Sequence, residues 1–434
     1  MWSNPFTYGN PISDPRRFVG RAREVEQIFG RLRNKEFESS SVVGDHRIGK
    51  TSLLKYLAHP EVRRAHGLEP ERYSFIYVDL QLVNDTMGPE QLWRRLLLHM
   101  RRQPPAAAVA AELEALERQD RLDTFDLDEL FQVVDASDHF VVFLLDEFER
   151  VTTNANFGPD FYYGLRSLLI QHRIALVTSS RRELVELCHS DAIKSSPFFN
   201  VFANINLRLF SPVDFERLVS SSLGEGPVQF SPPEVEEVVD LAGLHPFFLQ
   251  IACSMLYESY QADLGAVERK DFLAENFRSE ALPHVVDYWN NSGDHEKIVL
   301  TAAALLEHRA EPGRGFTLPD LQRVFSRGEF FLERLEKRGL LMSGGGRYRL
   351  FSSVAGPWII AQIAEVSEER SYPEWLAQNT AQVERVTGKQ SGLLREILPR
   401  VGVRYRQLII TWASDPQTFV AMAGLLKSVL AMVG

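Results

Sequence analysis

The stretch GDHRIGKTSLLKYL, residues 44–57, sets a lysine and a threonine directly after the second of two glycines. Gly44, Gly49, Lys50 and Thr51 have the spacing G-x-x-x-x-G-K-[ST], between a short apolar run and a leucine-spaced segment. Glycines let a backbone wrap a phosphate so that its N–H groups point inward at a helix N-terminus. Lys50 then reaches the β- and γ-phosphates, where its charge also serves catalysis, and the Thr51 hydroxyl holds magnesium. The candidate nucleotide-binding residues are therefore Gly44, Arg47, Ile48, Gly49, Lys50, Thr51 and Ser52. Asp45 brings a negative charge into an anion-binding loop, so its carboxylate is expected to face outward, with Arg47 offsetting it.

Such a loop requires an apolar strand ending in an acidic residue. HFVVFLLDEFER supplies it: Phe140–Leu145 are followed by Asp146 and Glu147. Asp146 suits the magnesium shell, directly or through water. Glu147 suits the general base that polarises the attacking water. That pairing favours hydrolysis of ATP over simple retention of it.

These residues need a rigid support. Residues 40–43 and 73–80, 173–180 and 202–210 read as strands; 50–58, 90–102 and 159–171 read as helices. The alternation predicts an α/β fold with a doubly wound parallel sheet and ligand at the carboxyl ends of its strands. Thr178, Ser179, Ser180 and Arg181 fall at such an end. Either one of them senses the γ-phosphate, with Arg181 the catalytic candidate, or the segment is a plain turn with a solvated Arg181-Arg182 pair.

Composition narrows the class. The chain has 434 residues, 44% hydrophobic and 24% charged, which suits several globular units rather than a disordered polymer. A net charge of -10 argues against a general polyanion binder. Two cysteines, Cys188 and Cys253, provide no disulfide framework. The N-terminus lacks a signal-peptide core, and the apolar C-terminal stretch is interrupted by Lys427, so the expected location is the cytoplasm.

FVGRAREVEQIFGRL (18–32), GDHRIGKTSLLKYL, FLLDEFE, LVTSSRREL, SPFFNVFANINLRLFSP and GLHPFFLQIA come in an order that resembles the STAND ATPases, signal-transduction relatives of AAA+ and archaeal-type P-loop NTPases. The resemblance covers roughly residues 5–360. It implies that the arm carrying Gly20 and Arg21 lies near the adenine, and that Pro246 touches the base from a helical lid. The acidic residue that usually follows the arginine is replaced by Ala22, with Glu24 two places on.

Ser211-Pro212 with Asp214 and Glu216 reads as a helix start. Residues 296–306, 316–325 and 328–341 read as three helices and 342–352 as a hairpin, together resembling a winged helix. The expected organisation is an N-terminal arm (1–17), an ATPase core (18–210), a helical lid (211–285), a winged helix (286–365) and a helical C-terminal segment (366–434). The third helix of the winged helix offers Arg334, Lys337 and Arg338 against Glu333 and Glu336, a net of +1. That charge is small for a base-reading helix. The expected function is an ATP- and magnesium-dependent molecular switch, working through self-association or a protein partner. The alternative is an AAA+-like DNA-associated ATPase of the loader or transposition-regulator type.

Overall fold

A computed structural model describes residues 3–102, 106–194, 197–310, 314–325, 328–363, 371–386, 389–413 and 415–433. The chain forms two compact units. One comprises Gly9–Arg208 with Glu216–Ser221; the other comprises the first eight residues, Leu209–Phe215 and the chain from Ser222 onward.

The first unit is built on five parallel strands: β1 (Ser39–Val43), β2 (Tyr73–Asp79), β3 (Phe140–Asp146), β4 (Ile174–Ser180) and β5 (Phe202–Asn206). Their order is β2-β3-β4-β1-β5. The register sets Val43 beside Ser180, and Leu145 beside Thr178. The loop after β1 and the ends of β3 and β4 therefore open on the same edge. β1, β3 and β4 are buried almost throughout, as a parallel sheet covered on both faces requires. On one side, α1 (Ala22–Arg33) buries Val25, Ile28, Phe29 and Leu32, and α2 (Lys50–Ala58) buries Leu53, Leu54 and Leu57. Each such leucine stabilises the fold by about 1.5–3 kcal/mol. On the other, helices Pro89–Arg101, Thr124–Ala136 and Pro159–Gln171 pack Trp93, Phe131 and Tyr162 into a core with Phe143 and Leu176.

The end of the sheet's last strand moves. β5 ends at Asn206 instead of residue 210, because after Leu207 donates to Val43 O at 2.8 Å the chain leaves the sheet. The helix after it starts where expected, at Pro212, with Ser211 and Asp214 capping each other: Ser211 N–H donates to Asp214 Oδ2 at 3.1 Å and Asp214 N–H to Ser211 Oγ at 3.2 Å.

The second unit holds the helices Pro232–Ala242, Pro246–Gln261 and Ala266–Asn290, and part of the N-terminal arm belongs to it. Phe6 stacks on Phe230 at 5.7 Å, and Asn4 Nδ2 donates to Ser254 O at 3.1 Å. Helices Asp294–Arg309, Leu318–Val324 and Gly328–Lys337 accompany an antiparallel sheet of β6 (Phe316–Thr317), β7 (Leu341–Gly344) and β8 (Arg347–Leu350), in the order β6-β8-β7. The second of these helices starts two residues later than expected, because Phe316 and Thr317 pair with Tyr348 and Arg347. The third stops at Lys337: Gly339, with φ of 75°, turns the chain left-handed, and Leu340 N–H closes onto Leu335 O at 2.9 Å. Gly345 and Gly346, with φ of 58° and 74°, make the tight turn between β7 and β8. The expected boundary between residues 365 and 366 lies outside the described residues. No helix among the described residues is long and apolar enough to cross a membrane.

Candidate nucleotide-binding site

The loop between β1 and α2 is closely fitted. A Cβ on Gly44 would stand 2.7 Å from Ile48 Cγ2 and 3.3 Å from the Leu207 carbonyl oxygen, so the loop closes only over a bare backbone. Gly49 takes a φ of 103° as it enters α2. Arg47 holds a φ of 61°, a left-handed conformation uncommon outside glycine. Ile48 is buried as the loop's apolar anchor. Lys50 is 5% exposed, and its Nζ donates to Gly44 O at 2.9 Å and Asp45 O at 3.1 Å. The ammonium thus sits inside the curve of the loop, at the head of a helix whose first N–H groups have no intrahelical acceptor. A concave backbone, a helix N-terminus and a buried cation together fit a polyphosphate.

Asp45 departs from expectation. It is 3% exposed, and its Oδ1 accepts the His46 N–H at 2.9 Å. The carboxylate turns inward because a local N–H satisfies it and the Lys50 ammonium lies within the same loop. Thr51 and Ser52 occupy the first turn of α2. Ser52 Oγ accepts the Ile12 N–H at 3.0 Å, and Phe18 stacks on Tyr56 at 4.3 Å, so residues 12–18 lie along α2. Gly20 and Arg21 follow, with φ of 72° and 65°, and Arg21 Nη2 donates to Ile48 O at 3.0 Å. The arm is therefore fastened to the phosphate loop itself. Glu24 pairs with Arg21 at 3.5 Å from one helical turn on.

Asp146 ends β3 almost fully buried. Tyr77 Oη donates to its Oδ2 at 3.0 Å and Ser179 Oγ to its Oδ1. Each oxygen keeps a further lone pair, so the carboxylate, with Thr51, fits a hard divalent cation. Glu147 follows at a φ of 57°, its N–H donating to Ser179 Oγ at 3.1 Å. Burial and the neighbouring Glu149 carboxyl push the Glu147 carboxyl well above the usual carboxylate range, against the pull of the Lys50 ammonium. A proton acceptor tuned upward at a strand end is suited to general-base work.

The four residues at the end of β4 separate by role. Ser179 holds Asp146 and Glu147, while Ser180 Oγ turns back to Arg182 O at 2.7 Å. Thr178 is buried within the strand. Arg181 is not a solvated turn residue: its Nε lies 2.9 Å from Glu149 Oε1 and its Nη1 3.1 Å from His46 Nε2. Glu149, His46 and Tyr77 escape a motif search because no fixed spacing marks them. The one sequence signal is a further carboxylate two residues past Glu147. Pro246 lies in the other unit, at the first position of the helix Pro246–Gln261, where its missing N–H costs nothing.

Comparisons with known proteins speak to the fold and the family. Among solved structures, the ORC2 protein of Aeropyrum pernix, in ADPNP-ADP complexes, is similar at 15% identity with a TM-score of 0.51, over 82% of this chain and 98% of that one. The Walker-type ATPase PABY2304 of Pyrococcus abyssi is similar at 16% identity with a TM-score of 0.49, over 81% and 98%. At such identity the first likeness speaks for the fold alone. No curated protein matches the chain. The profile of the family described as Novel STAND NTPase 2 matches residues 34–304, more than half of the chain and including the loop, β3 and β4. The chain belongs to that family, among the STAND and AAA+-related P-loop ATPases.

Proposed function

We propose that this protein is an ATP-driven molecular switch: it binds magnesium-ATP at the loop 44–51, hydrolyses it, and uses the nucleotide state to control its own assembly. The observation that carries the reading is convergence. Lys50, Asp146, Glu147 and Arg181 all leave the carboxyl ends of the three adjacent strands β1, β3 and β4. Lys50 and the loop N–H groups neutralise the phosphates. Thr51 and Asp146 hold the magnesium, which supplies charge stabilisation at the terminal phosphate. Glu147 takes the proton of the attacking water, and Arg181 faces the terminal phosphate. Gly20 and Arg21 border the base. The nucleotide complexes of the ORC2 neighbour are in keeping with this use of the fold.

Residues 286–365 form, in this reading, a winged helix that acts as an intramolecular regulatory surface. Its third helix and the residue that follows it keep their cations paired. Arg334 Nε lies 3.1 Å from Glu296 Oε1, Arg338 Nη1 2.7 Å from Glu296 Oε2, and Lys337 Nζ 2.9 Å from Glu333. Arg338 is 6% exposed. Guanidinium groups committed to a buried carboxylate do not neutralise phosphates, which counts against the DNA-associated alternative.

Calorimetry with magnesium-ATP tests the phosphate site. Lys50→Ala is expected to weaken binding by about 2–4 kcal/mol, the scale of removing a buried charged partner. An unchanged affinity would move the nucleotide away from this loop. Light scattering tests the switch, with a larger assembly expected in ATP than in ADP. Equal masses would refute control by assembly.

A further inference from the structure

We propose that Glu149 is a positioning residue of the nucleotide site, a resting counter-ion that holds the Arg181 guanidinium until the terminal phosphate of a nucleoside triphosphate displaces it. The inference rests on the phosphate-site reading above and deepens it.

Glu149 opens the one-turn helix Glu149–Thr152 that follows β3, and its side chain is 3% exposed. Burying a carboxylate costs several kcal/mol unless both oxygens are compensated. Here one is and one is not. Oε1 pairs with Arg181 Nε at 2.9 Å, whereas Oε2 is buried with no hydrogen-bond donor. The neighbouring Glu147 carboxyl repels the Glu149 carboxylate when ionised and hydrogen-bonds to it only when protonated. Glu296 in the helical unit also has one oxygen, Oε1, without a hydrogen bond, but it faces two guanidinium groups, Arg334 and Arg338, where Glu149 pairs with one.

The partner is equally informative. The Arg181 side chain is 37% exposed, so its guanidinium is free to exchange one acceptor for another. Its other end already touches His46, inside the phosphate loop, at 3.1 Å. The guanidinium thus stands between the loop that receives phosphates and a carboxylate that competes for the same donors. A terminal phosphate carries more charge and offers a bidentate edge, so it outcompetes the carboxylate. A diphosphate presents no such group. Triphosphate binding alone must therefore break the Arg181–Glu149 pair, and its apparent affinity is lowered by the fraction of protein in which Arg181 is held.

The test is a double-mutant cycle on the full chain with magnesium. Affinities for a non-hydrolysable ATP analogue and for ADP are measured by calorimetry in wild type, Glu149→Gln, Arg181→Ala and the double variant. Glu149→Gln is expected to raise the ratio of analogue to ADP affinity about tenfold. In the Arg181→Ala background the same substitution should change that ratio by no more than about twofold. Glu149→Asp, which keeps the charge, should restore the wild-type ratio. A change that is equal for both nucleotides, or that persists without Arg181, would overturn the assignment. Lys50→Ala separates the two levels: if it leaves both affinities unchanged, the phosphate-site reading falls and this inference with it. If Lys50 matters while the cycle is flat, the role of Glu149 alone falls.

Discussion

The two units handle buried charge in opposite ways. In the sheet unit, charged side chains near the loop sit in costly states: Arg21, Arg47 and Glu147 adopt left-handed backbone, and Glu149 buries an oxygen without a donor. In the helical unit, Glu296 is buried just as deeply and its Oε1 also lacks a hydrogen bond, yet two guanidinium groups surround it. Arg334 Nε stands 3.1 Å from Oε1, and Oε2 accepts from Arg338 Nη1 at 2.7 Å and from the Gly293 N–H at 2.8 Å. One arrangement stores unfavourable energy where a ligand can relieve it; the other spends its charges on holding the fold. Strain and incomplete pairing concentrate where chemistry occurs.

The largest effect that sharpens this contrast is at Glu147. Glu147→Gln keeps size and hydrogen bonding but removes basicity, so ATP should still bind while turnover falls by roughly 10²–10⁴-fold. Because the reset is blocked, the variant should accumulate in the ATP-bound assembly. Undiminished turnover in a coupled phosphate-release assay would remove Glu147 as the base.

Next comes Glu296. If its role is to hold the fold, Glu296→Ala strands two guanidinium groups and one helix cap, and urea unfolding should show a loss of about 2–4 kcal/mol. A loss near zero would mean that this network is as dispensable as an exposed ion pair, and that its arginines are available to phosphates. Duplex DNA titrated at physiological salt gives the independent reading, with affinity expected at the non-specific level of about 10⁻⁴ M or weaker.

The smallest effect concerns Glu307, which breaks the pattern within the helical unit. Burial pushes its carboxyl up to about 7, with only the Leu350 N–H and Arg349 pulling the other way. An unfolded chain titrates near ~4.3, so the folded state holds this proton more tightly. Stability from this group is intact below the unfolded value and declines as pH rises towards 7, after which the deficit is constant. Glu307→Gln, whose amide oxygen still accepts the Leu350 N–H, removes the titration. Its gain in unfolding free energy should be about 1–3 kcal/mol larger at pH 8 than at pH 5. A gain independent of pH would show that Glu307 does not titrate in this range.

What could be read in advance follows the range of the interaction. The loop 44–51 and the Asp146-Glu147 pair are short-range patterns, and the strand–loop–helix around the loop, Ser39–Val43 into Lys50–Ala58, forms where the sequence places it. Asp45 went the other way. Its charge argued for solvent, but a neighbouring N–H and the enclosed Lys50 made burial affordable, which composition does not reveal. Arg181 reads equally well as a sensor or as a solvated turn residue. Its contacts with Glu149 and His46 span 32 and 135 residues, so neither alternative could be removed from the sequence.

The sequence by itself determined the chemistry on offer: glycines where only glycine fits, a lysine at a helix head, two carboxylates at a strand end. These are properties of neighbouring residues, set by backbone sterics and by the termini of single elements. Tertiary structure alone decided which charges are spent and which are held ready. With β4 placed between β3 and β1, Arg181 reaches Glu149 on one side and His46 on the other. Forty-two residues separate Glu296 from Arg338, and only folding makes their pair. A charge can be counted in a sequence, but its partner and its solvation exist only once distant segments meet, and those fix what it does.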